Sequence, residues 1–182
     1  KTGTLTEGMI RVVGMRNAEG CEDAVTRTLA VLNASFETGF TNPIDDALRQ
    51  LDANVAGYER LGEVPYDFKR KRLSVLVRKD GNNLLITKGA VANVLDVCTS
   101  ARVGDGRTMP LDMHRAALQA SFEQHSLNGY RVIAVACKAT LSEQAMASDE
   151  HDMEFAGFVL MEDPLKEDIT DAIGVLRGLG IQ

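Results

Sequence analysis

Hydrophobic and β-branched residues form two short runs on either side of a turn between positions 72 and 89. The runs RLSVLVR and NLLITKG are joined by DGNN at positions 80–83. An Asp-Gly pair between such runs is a strong hairpin signal, because glycine tolerates the positive φ of a tight turn. The predicted hairpin brings Tyr66, Phe68 and the basic run Lys69–Arg72 close to Lys88 and Gly89.

Other segments carry apolar residues at helical spacing. In the first of them Val25, Leu29, Leu32 and Phe36 share one face, and Gly39 supplies a stop after it. The second opens on Asn-Pro, with the asparagine as N-cap and proline in the first turn. The predicted helices are Glu19–Thr38, a helix opening at Asn42, Val91–Cys98, Asp112–Leu127 and Asp163–Gly180.

Three further runs are strand-like, and the remaining segments are polar or rich in glycine. Residues 8–15, Tyr130–Ala139 and Glu154–Met161 are predicted strands. Asn54–Glu63 is predicted to be a connector, and Ser100–Pro110 a loop or a small hairpin. Helices around short, mostly hairpin-linked strands favour an α+β fold, with an antiparallel β-sheet flanked by helices.

Composition and charge exclude several classes of protein. The 182 residues are 45% hydrophobic and 25% charged, as in an ordinary globular domain. A net charge of −6 argues against a nucleic-acid partner, because nucleic acid attracts a basic face. Three widely spaced cysteines fit neither a disulfide framework nor a metal site, which favours a reducing compartment. No apolar run approaches the ~18 residues of a spanning helix, so we expect no direct membrane contact.

The end of the hairpin is a candidate nucleotide site on residue types alone. An aromatic face, a lysine, and a glycine that lets a ligand approach the backbone suit such a pocket. The same residues also fit an edge hairpin with a charged, solvated rim, which is the commoner arrangement. Elsewhere there is no nucleophile elbow with a Ser/His/Asp set, and the histidines are dispersed. The residues by themselves therefore predict no complete catalytic site.

The first eight residues, KTGTLTEG, resemble the phosphorylation loop of P-type ATPases, whose signature is Asp-Lys-Thr-Gly-Thr-Leu-Thr. The phosphorylated aspartate would immediately precede Lys1. The segments NPIDDAL, VPYDFKRKRLSV, TKGA, GYRVIAVA and EDPLKED resemble, in order, later landmarks of the same family's nucleotide-binding domain. The resemblance covers essentially the whole chain. Within the family, VPYDFKRKRLSV and the NPIDDA helix are most similar to the bacterial magnesium-importing pumps.

This resemblance implies an ATP-binding domain in the cytoplasmic part of an integral membrane protein of the inner or plasma membrane. In such pumps ATP, as Mg-ATP with its Mg²⁺, phosphorylates the aspartate, and the acyl-phosphate drives ion movement. Residues 1–7 would be a stub of the phosphorylation domain, 8–160 the nucleotide-binding domain, and 161–182 the return. The partners would be ATP or ADP and the phosphorylation and actuator domains of the same parent. We expect this chain to be a monomer that binds nucleotide without hydrolysing it.

The resemblance also implies roles for residues at the adenine end of the pocket. Tyr66 matches the aromatic, usually Phe, on which adenine stacks, and the change to Tyr keeps the ring while adding a hydroxyl. Lys88 matches the lysine at the base of the pocket, with Gly89 beside it. Asp45 matches an acidic position that faces the adenine amino group. Taken without the family, Tyr66 could pin the strand, Lys88 could be a solvated strand end, and Asp45 could be a capping carboxylate.

Further positions match the phosphate end and the domain boundary. Lys71 and Arg131 match basic positions near the ribose and phosphates, although surface Lys and Arg need no special explanation. Asp163 matches a hinge aspartate, but Leu165 stands where the family usually has a second proline. The residues that match the phosphorylation loop are Lys1, Thr2 and Thr4.

Three alternatives remain open on the sequence. The first is a pump of the same class for another cation. The second is a free-standing nucleotide-binding or regulatory module, and the third is a haloacid-dehalogenase-like phosphatase with a cap domain. Such a phosphatase would share the aspartate loop but lack TKGA. The sequence of the full-length parent would distinguish these possibilities.

Overall fold

The structure, a computed structural model, describes residues 5–39, 42–104, 106–166 and 169. Within them the chain forms four α-helices, eight strands and two short 3-10 turns. The helices are α1 Ala24–Phe36, α2 Pro43–Arg49, α3 Val91–Leu95 and α4 Arg115–Leu127. The strands are β1 Arg11–Arg16, β2 Glu59–Asp67, β3 Arg72–Lys79, β4 Asn82–Gly89, β5 Cys98–Arg102, β6 Thr108–Pro110, β7 Arg131–Thr140 and β8 Met153–Glu162.

The eight strands form one sheet in the order β2-β3-β4-β7-β8-β5-β6, with β1 also paired to β8. β8 is ten residues long, so β5 pairs with its first part and β1 with its last part. The β5–β8 pair is parallel. A parallel pair needs a long connection between its strands, and here β6, α4 and β7 lie between β5 and β8 in the chain. The other pairs are antiparallel. The predicted α+β fold is confirmed, with a sheet that is mixed at one position.

The predicted hairpin is confirmed and forms β3 and β4, next to the edge strand β2. β3 and β4 pair without interruption from Arg72 opposite Gly89 to Lys79 opposite Asn82. Asp80 and Gly81 turn the chain with φ values of 50° and 78°, which a tight hairpin turn requires at both central residues. Residues 98–110 form a second, smaller hairpin of β5 and β6, as predicted.

Each face of the sheet is covered by its own pair of helices. α1 and α2 pack on one face and α3 and α4 on the other, so the sheet lies between two apolar layers. The first layer includes Leu29, Leu32, Leu48, Val75, Ile86 and Val135. The second includes Leu76, Val94, Leu118, Ala136 and Phe155.

The first helix begins five residues later than predicted. Asn17 accepts hydrogen bonds from the backbone N–H groups of Glu19 and Cys21, which makes a turn where the prediction has helix. Asp23 then caps α1 by accepting from the Thr26 backbone N–H at 2.6 Å. A side-chain oxygen that satisfies an otherwise unpaired helix N–H sets the helix start there.

Three other boundaries differ from the prediction. The predicted connector Asn54–Glu63 is a strand from Glu59 onwards, because it pairs with β3 at the edge of the sheet. Cys98 belongs to β5 rather than to α3. A 3-10 turn at Leu111–Met113 precedes α4, which has His114 and not Asp112 at its N-cap. The predicted helix Asp163–Gly180 lies almost wholly outside the described residues.

Candidate functional site

One end of the sheet gathers most of the predicted site residues. The antiparallel registers place Asp67 opposite Arg72, Arg72 opposite Gly89, and Gly89 opposite Ala134. The end of β2, the start of β3, the end of β4 and the start of β7 therefore meet at this end. Arg131 is exposed there, three residues beyond Ala134 along β7.

An aromatic pair stands at this end of the sheet. Tyr66 is 50% exposed and Phe68 is 87% exposed. Their rings meet edge to face, with centroids 5.5 Å apart and planes at 89°. Such a pair presents apolar ring surface to solvent in a defined geometry.

A β-bulge sets the direction of Tyr66. The register shifts between Val64 and Asp67, where β2 carries one more residue than β3. The two bulged residues, Pro65 and Tyr66, then oppose Leu73 and share its face. Leu73 is paired with Lys88 across the β3–β4 ladder. The bulge therefore places Tyr66 on the same face of the sheet as Lys88.

The basic turn after β2 has a specific backbone conformation. Asp67 accepts from the backbone N–H groups of Arg70 at 2.8 Å and Lys69 at 2.7 Å, and these bonds lower the pKa of its carboxyl group. Lys71 has a φ of 50° and its N–H donates to the Asp67 carbonyl at 2.6 Å. A positive φ is uncommon for lysine, so the surrounding bonds hold this residue in place.

Gly89 is packed against this turn. A Cβ atom at Gly89 would lie 2.4 Å from the Lys71 carbonyl oxygen and 2.6 Å from the Arg72 Cβ. The Ala90 N–H donates to that same carbonyl at 2.9 Å. We expected a glycine here to let a ligand approach the backbone, but the chain's own turn occupies that space. Gly89 therefore holds the Lys71 turn against the end of β4.

Lys88 lies in a buried cluster of charges. Its ammonium group contacts the Asp45 carboxylate and donates to Glu37 at 3.0 Å. The exposed fractions of the side chains are 6% for Lys88, 0% for Asp45 and 9% for Glu37. The interpretation of Lys88 as a solvated strand end is therefore wrong. The Lys88 charge is paired within the protein, with Glu37 at the end of α1 and Asp45 in the first turn of α2.

The start of α2 positions Asp45. Asn42 caps the helix as predicted, and its side-chain oxygen accepts from the N–H groups of Ile44 and Asp45 at 3.0 Å each. The Asn42 side-chain amide also contacts the Asp45 carboxylate. Asp45 thus belongs both to the capping arrangement and to the Lys88 cluster.

The pKa values of the two carboxyl groups in the cluster shift in opposite directions. Burial, with a hydrogen bond to Asp45, raises the pKa of Glu37 to about 7. Burial alone would also raise the pKa of Asp45, but the hydrogen bond from Glu37 and the Lys88 ammonium lower it. Around neutral pH Asp45 is ionised, and Glu37 is the group that takes up or releases a proton.

A second buried carboxylate lies on the opposite face of the hairpin. Glu150, whose side chain is 0% exposed, receives hydrogen bonds from Arg70 at 2.7 Å, Arg72 at 2.8 Å and the Ser74 hydroxyl at 2.7 Å. Ser74 in turn contacts Thr87 on β4 at 2.6 Å. These bonds connect the turn before β8 to both sides of Lys71.

The sequence model of the family described as P-type ATPase, cytoplasmic domain N, matches residues 9–168. The chain belongs to this family. The resemblance found in the sequence is confirmed, as is its fold. The match does not favour the alternative of a free-standing module outside this family.

Several relatives of this N domain carry names of ion-transporting ATPases. "Magnesium-transporting ATPase, P-type 1" of Salmonella typhimurium strain LT2 is 33% identical over 192 residues, covering 100% of this chain and 21% of that protein. The protein of the same name from Escherichia coli K12 is 31% identical over 191 residues, with the same coverage. "Calcium-transporting ATPase 4, endoplasmic reticulum-type" of Arabidopsis thaliana is 30% identical over 68% of this chain and 14% of its own length. The chain thus spans about a fifth of the magnesium-transporting relatives.

The two ends of the described N domain lie side by side. The Asp163 carboxylate accepts from the Thr6 hydroxyl at 2.7 Å and from the Gly8 N–H at 3.0 Å. Thr6 also forms an isolated antiparallel bridge with Leu165. Asp163 therefore joins the incoming and outgoing segments, where the resemblance implies a hinge. The predicted loop residues Lys1, Thr2 and Thr4 lie outside the described residues.

The structure brings some predicted residues together and adds two that were not predicted. Asp45 and Lys88 are in contact, and the Lys71 carbonyl touches Gly89. The side chains of Lys71 and Arg131 are exposed at the same end of the sheet. The additional residues are Glu37 and Glu150, whose contacts are remote in sequence. Phe68, which the hairpin prediction already places at this end, forms the aromatic pair with Tyr66.

Proposed function

We propose that this chain is the ATP-binding domain of a P-type pump that transports Mg²⁺. The observation that supports nucleotide binding is the exposed aromatic pair at the end of the sheet that also carries the Lys88–Asp45 cluster. A base stacked on an aromatic ring gains about 1–3 kcal/mol without any sequence-specific edge contact. Tyr66 would stack on adenine. Asp45, whose side chain is 0% exposed in the free domain, would accept from the adenine amino group after binding exposes its carboxylate.

The basic residues at this end suit the rest of the nucleotide. Lys71 and Arg131 are exposed cations at this end of the sheet, and we assign them to the ribose and phosphates. Lys88 has a different part, because its ammonium is already paired with two carboxyl groups. We assign it to the base of the pocket, where it orients Asp45. Gly89 contributes by holding the Lys71 turn.

In the parent protein this domain would present ATP, with Mg²⁺ as Mg-ATP, to a phosphorylatable aspartate. Phosphoryl transfer depends mainly on positioning and charge neutralisation, so a separate domain that holds the nucleotide is a sensible part of such an enzyme. We retain residues 1–7 and 161–182 as segments of the phosphorylation domain and 8–160 as the nucleotide-binding domain. The phosphorylation and actuator domains of the parent are the proposed partners of this monomeric chain.

Localisation on the cytoplasmic side of an integral membrane parent follows from this proposal. In the described part of the chain no helix is both long and apolar enough to span a bilayer. Magnesium as the transported ion is supported by the names of the two bacterial relatives. Uptake assays on the full-length parent, with Mg²⁺ and Ca²⁺ compared in the same vesicles, would test it. Transport of Ca²⁺ but not Mg²⁺ would contradict the assignment.

Nucleotide binding is tested on this chain by titrating ADP and ATP against Tyr66 variants. Tyr66→Phe should bind as the wild type does, and Tyr66→Ala should lose about five- to 150-fold in affinity for both nucleotides, as expected for the loss of one stacked base. Leu141→Ala is the matched control, because Leu141 is 98% exposed and lies at the opposite end of the sheet. Equal affinity in the wild type and Tyr66→Ala would refute the stacking role. Steady ATP turnover by the chain alone would contradict its role as a binding domain.

A further inference from the structure

The buried charges around Lys88 do not balance. One ammonium group faces two carboxyl groups, and all three side chains are at most 9% exposed. If all three were ionised, the cluster would carry a net charge of −1 away from water. Burying an unbalanced carboxylate is unfavourable unless the group takes up a proton. A proton on one carboxyl group restores neutrality.

The fold holds Glu37 in this cluster through a matched pair of contacts. Glu37 is the C-cap of α1, and its backbone N–H donates to the carbonyl of Asn33, one turn earlier. The Asn33 amide donates to the carbonyl of Ile86 at 2.7 Å, two residues before Lys88 on β4. One helical turn and two strand residues are nearly equal in length. The Asn33–Ile86 and Glu37–Lys88 contacts are therefore set by the same packing of α1 on β4.

We propose that Glu37 is a further residue of the nucleotide site, where it shares a proton with Asp45 and couples nucleotide binding to proton uptake. This inference rests on the proposed function. The bound proton keeps the cluster neutral, whereas its release leaves a negative charge on the face where the nucleotide polyanion binds. Asp45 keeps acceptor capacity for adenine, because an ionised carboxylate has about four acceptor positions. Nucleotide binding then favours the protonated cluster.

Other charged groups near Glu37 have partners of their own. On β2, Glu63 accepts from the Thr38 N–H and hydroxyl at 2.9 Å each and pairs with Arg60 at 3.3 Å. Burial acts to raise the pKa of the Glu63 carboxyl group, but these bonds outweigh burial and lower it. Glu63 therefore stays ionised near neutral pH. The remaining groups are Lys88 on β4, Asp45 on α2, and Arg49 on α2, which pairs with Asp46 at 3.1 Å. Burial and the Asp45 contact give the Glu37 carboxyl group a pKa of about 7, which agrees with this assignment.

The experiment compares ADP binding by the wild type and Glu37→Gln at about pH 6, 7 and 8.5. Calorimetry in two buffers of different ionisation enthalpy gives the protons taken up. The wild type should lose about three- to tenfold in affinity across this range and take up part of a proton near pH 7. In Glu37→Gln the amide can donate to Asp45 as the protonated acid does. This variant should therefore bind ADP as tightly at about pH 8.5 as it does at about pH 6. The nucleotide phosphates are the same in both titrations, so their contribution cancels in the comparison.

Glu143→Gln is the control for removing a carboxylate, because Glu143 is 78% exposed; it should retain the wild-type pH dependence. A Glu37→Gln protein with that same pH dependence would overturn the inference while leaving the proposed function intact. Failure of the wild type to bind ADP at any pH would instead overturn the proposed function. If Glu37→Gln does not fold, carboxyl-carbon NMR on the wild type decides. ADP should raise the titration midpoint of one glutamate, and unchanged midpoints would overturn the proposal.

Discussion

Replacing Lys88 by methionine removes a buried positive charge while keeping most of the volume of the side-chain stem. The substitution leaves the fully buried carboxylate of Asp45 without its ammonium partner, and Glu37 loses the same partner. Breaking a buried ion pair by removing one member costs about 3–5 kcal/mol of stability. Asp45 still receives the Asn42 amide, and Glu37 can remain protonated. At about pH 7 we therefore expect a loss near the lower end of that range, about 3 kcal/mol.

The loss should grow with pH, and the sign follows from proton linkage. Without the ammonium, the folded-state pKa of Glu37 rises further above its ordinary value, and the pKa of Asp45 rises because it loses the lowering that Lys88 contributes. A group with a raised folded pKa contributes stability below its unfolded pKa and loses it as the pH rises through the folded pKa. The variant should thus be closest to the wild type at about pH 5. At about pH 9 both carboxylates must be ionised with no cation between them, and the loss should approach about 5 kcal/mol.

Urea unfolding at these three pH values measures the effect. The double variant Lys88→Met, Asp45→Asn should recover part of the loss, because it removes the unpaired charge and keeps the hydrogen bond to Asn42. Lys79→Met is the matched control: Lys79 lies over the Tyr58 ring at 4.7 Å, and losing that contact should cost no more than about 1 kcal/mol. A Lys88→Met protein as stable as Lys79→Met at about pH 9 would refute the reasoning.

Two further substitutions test how the site is held. Gly89→Ala should lower the free energy of unfolding in urea by about 1–3 kcal/mol, because the added methyl group would lie 2.4 Å from the Lys71 carbonyl oxygen. A Gly89→Ala protein as stable as the wild type would show that the Lys71 turn can move away from this position. Glu150→Ala, which removes a fully buried carboxylate, should lose about 3–5 kcal/mol, whereas Glu143→Ala, at a side chain 78% exposed, should lose less than about 1 kcal/mol. Equal melting temperatures for these two variants would contradict the assignment.

The parts of the fold that the sequence predicts well are those determined by neighbours in the chain. The β3–β4 hairpin depends on a two-residue turn, and Asp80 and Gly81 adopt the positive φ values that it needs. The N-cap of α2 at Asn42 is likewise a contact between residues two and three positions apart. Such signals do not depend on the rest of the structure, so they can be recognised before it is known.

The elements that were misplaced depend on contacts between distant residues. The first half of β2 shows little alternation, since most of its side chains are exposed or half-buried at the sheet edge. Its strand conformation comes from the hydrogen-bonded ladder with β3. At α1, acidic residues typical of a first helical turn occur at Glu19, Glu22 and Asp23. The side chain of Asn17 forms a turn with Glu19 instead, and only the last of the three caps the helix.

The charged clusters at the site also depend on contacts between residues that are distant in the sequence. Residue types alone leave Lys88 either in a candidate nucleotide site or at a solvated strand end, and they give Asp45 only a capping role; the resemblance alone places the two in one site. Their contact joins residues 43 positions apart, and that of Lys88 with Glu37 joins residues 51 apart. Glu150 is buried because Arg70 of the β2–β3 turn and Arg72 of β3 pair with it, 80 and 78 positions away in the chain. No local pattern marks any of these pairings.

The positions of the two clusters explain how an exposed turn can hold a defined conformation. Lys88 faces α1 and α2, whereas Arg72 and Ser74 face Glu150 on the other side of the hairpin. Lys71 lies between them with a positive φ, and its carbonyl is fixed against Gly89. A turn held from both faces needs little rearrangement when it meets a ligand, which reduces the conformational entropy lost on binding. The buried Glu150 cluster, which is assigned no contact with the nucleotide, would in this way contribute to its affinity.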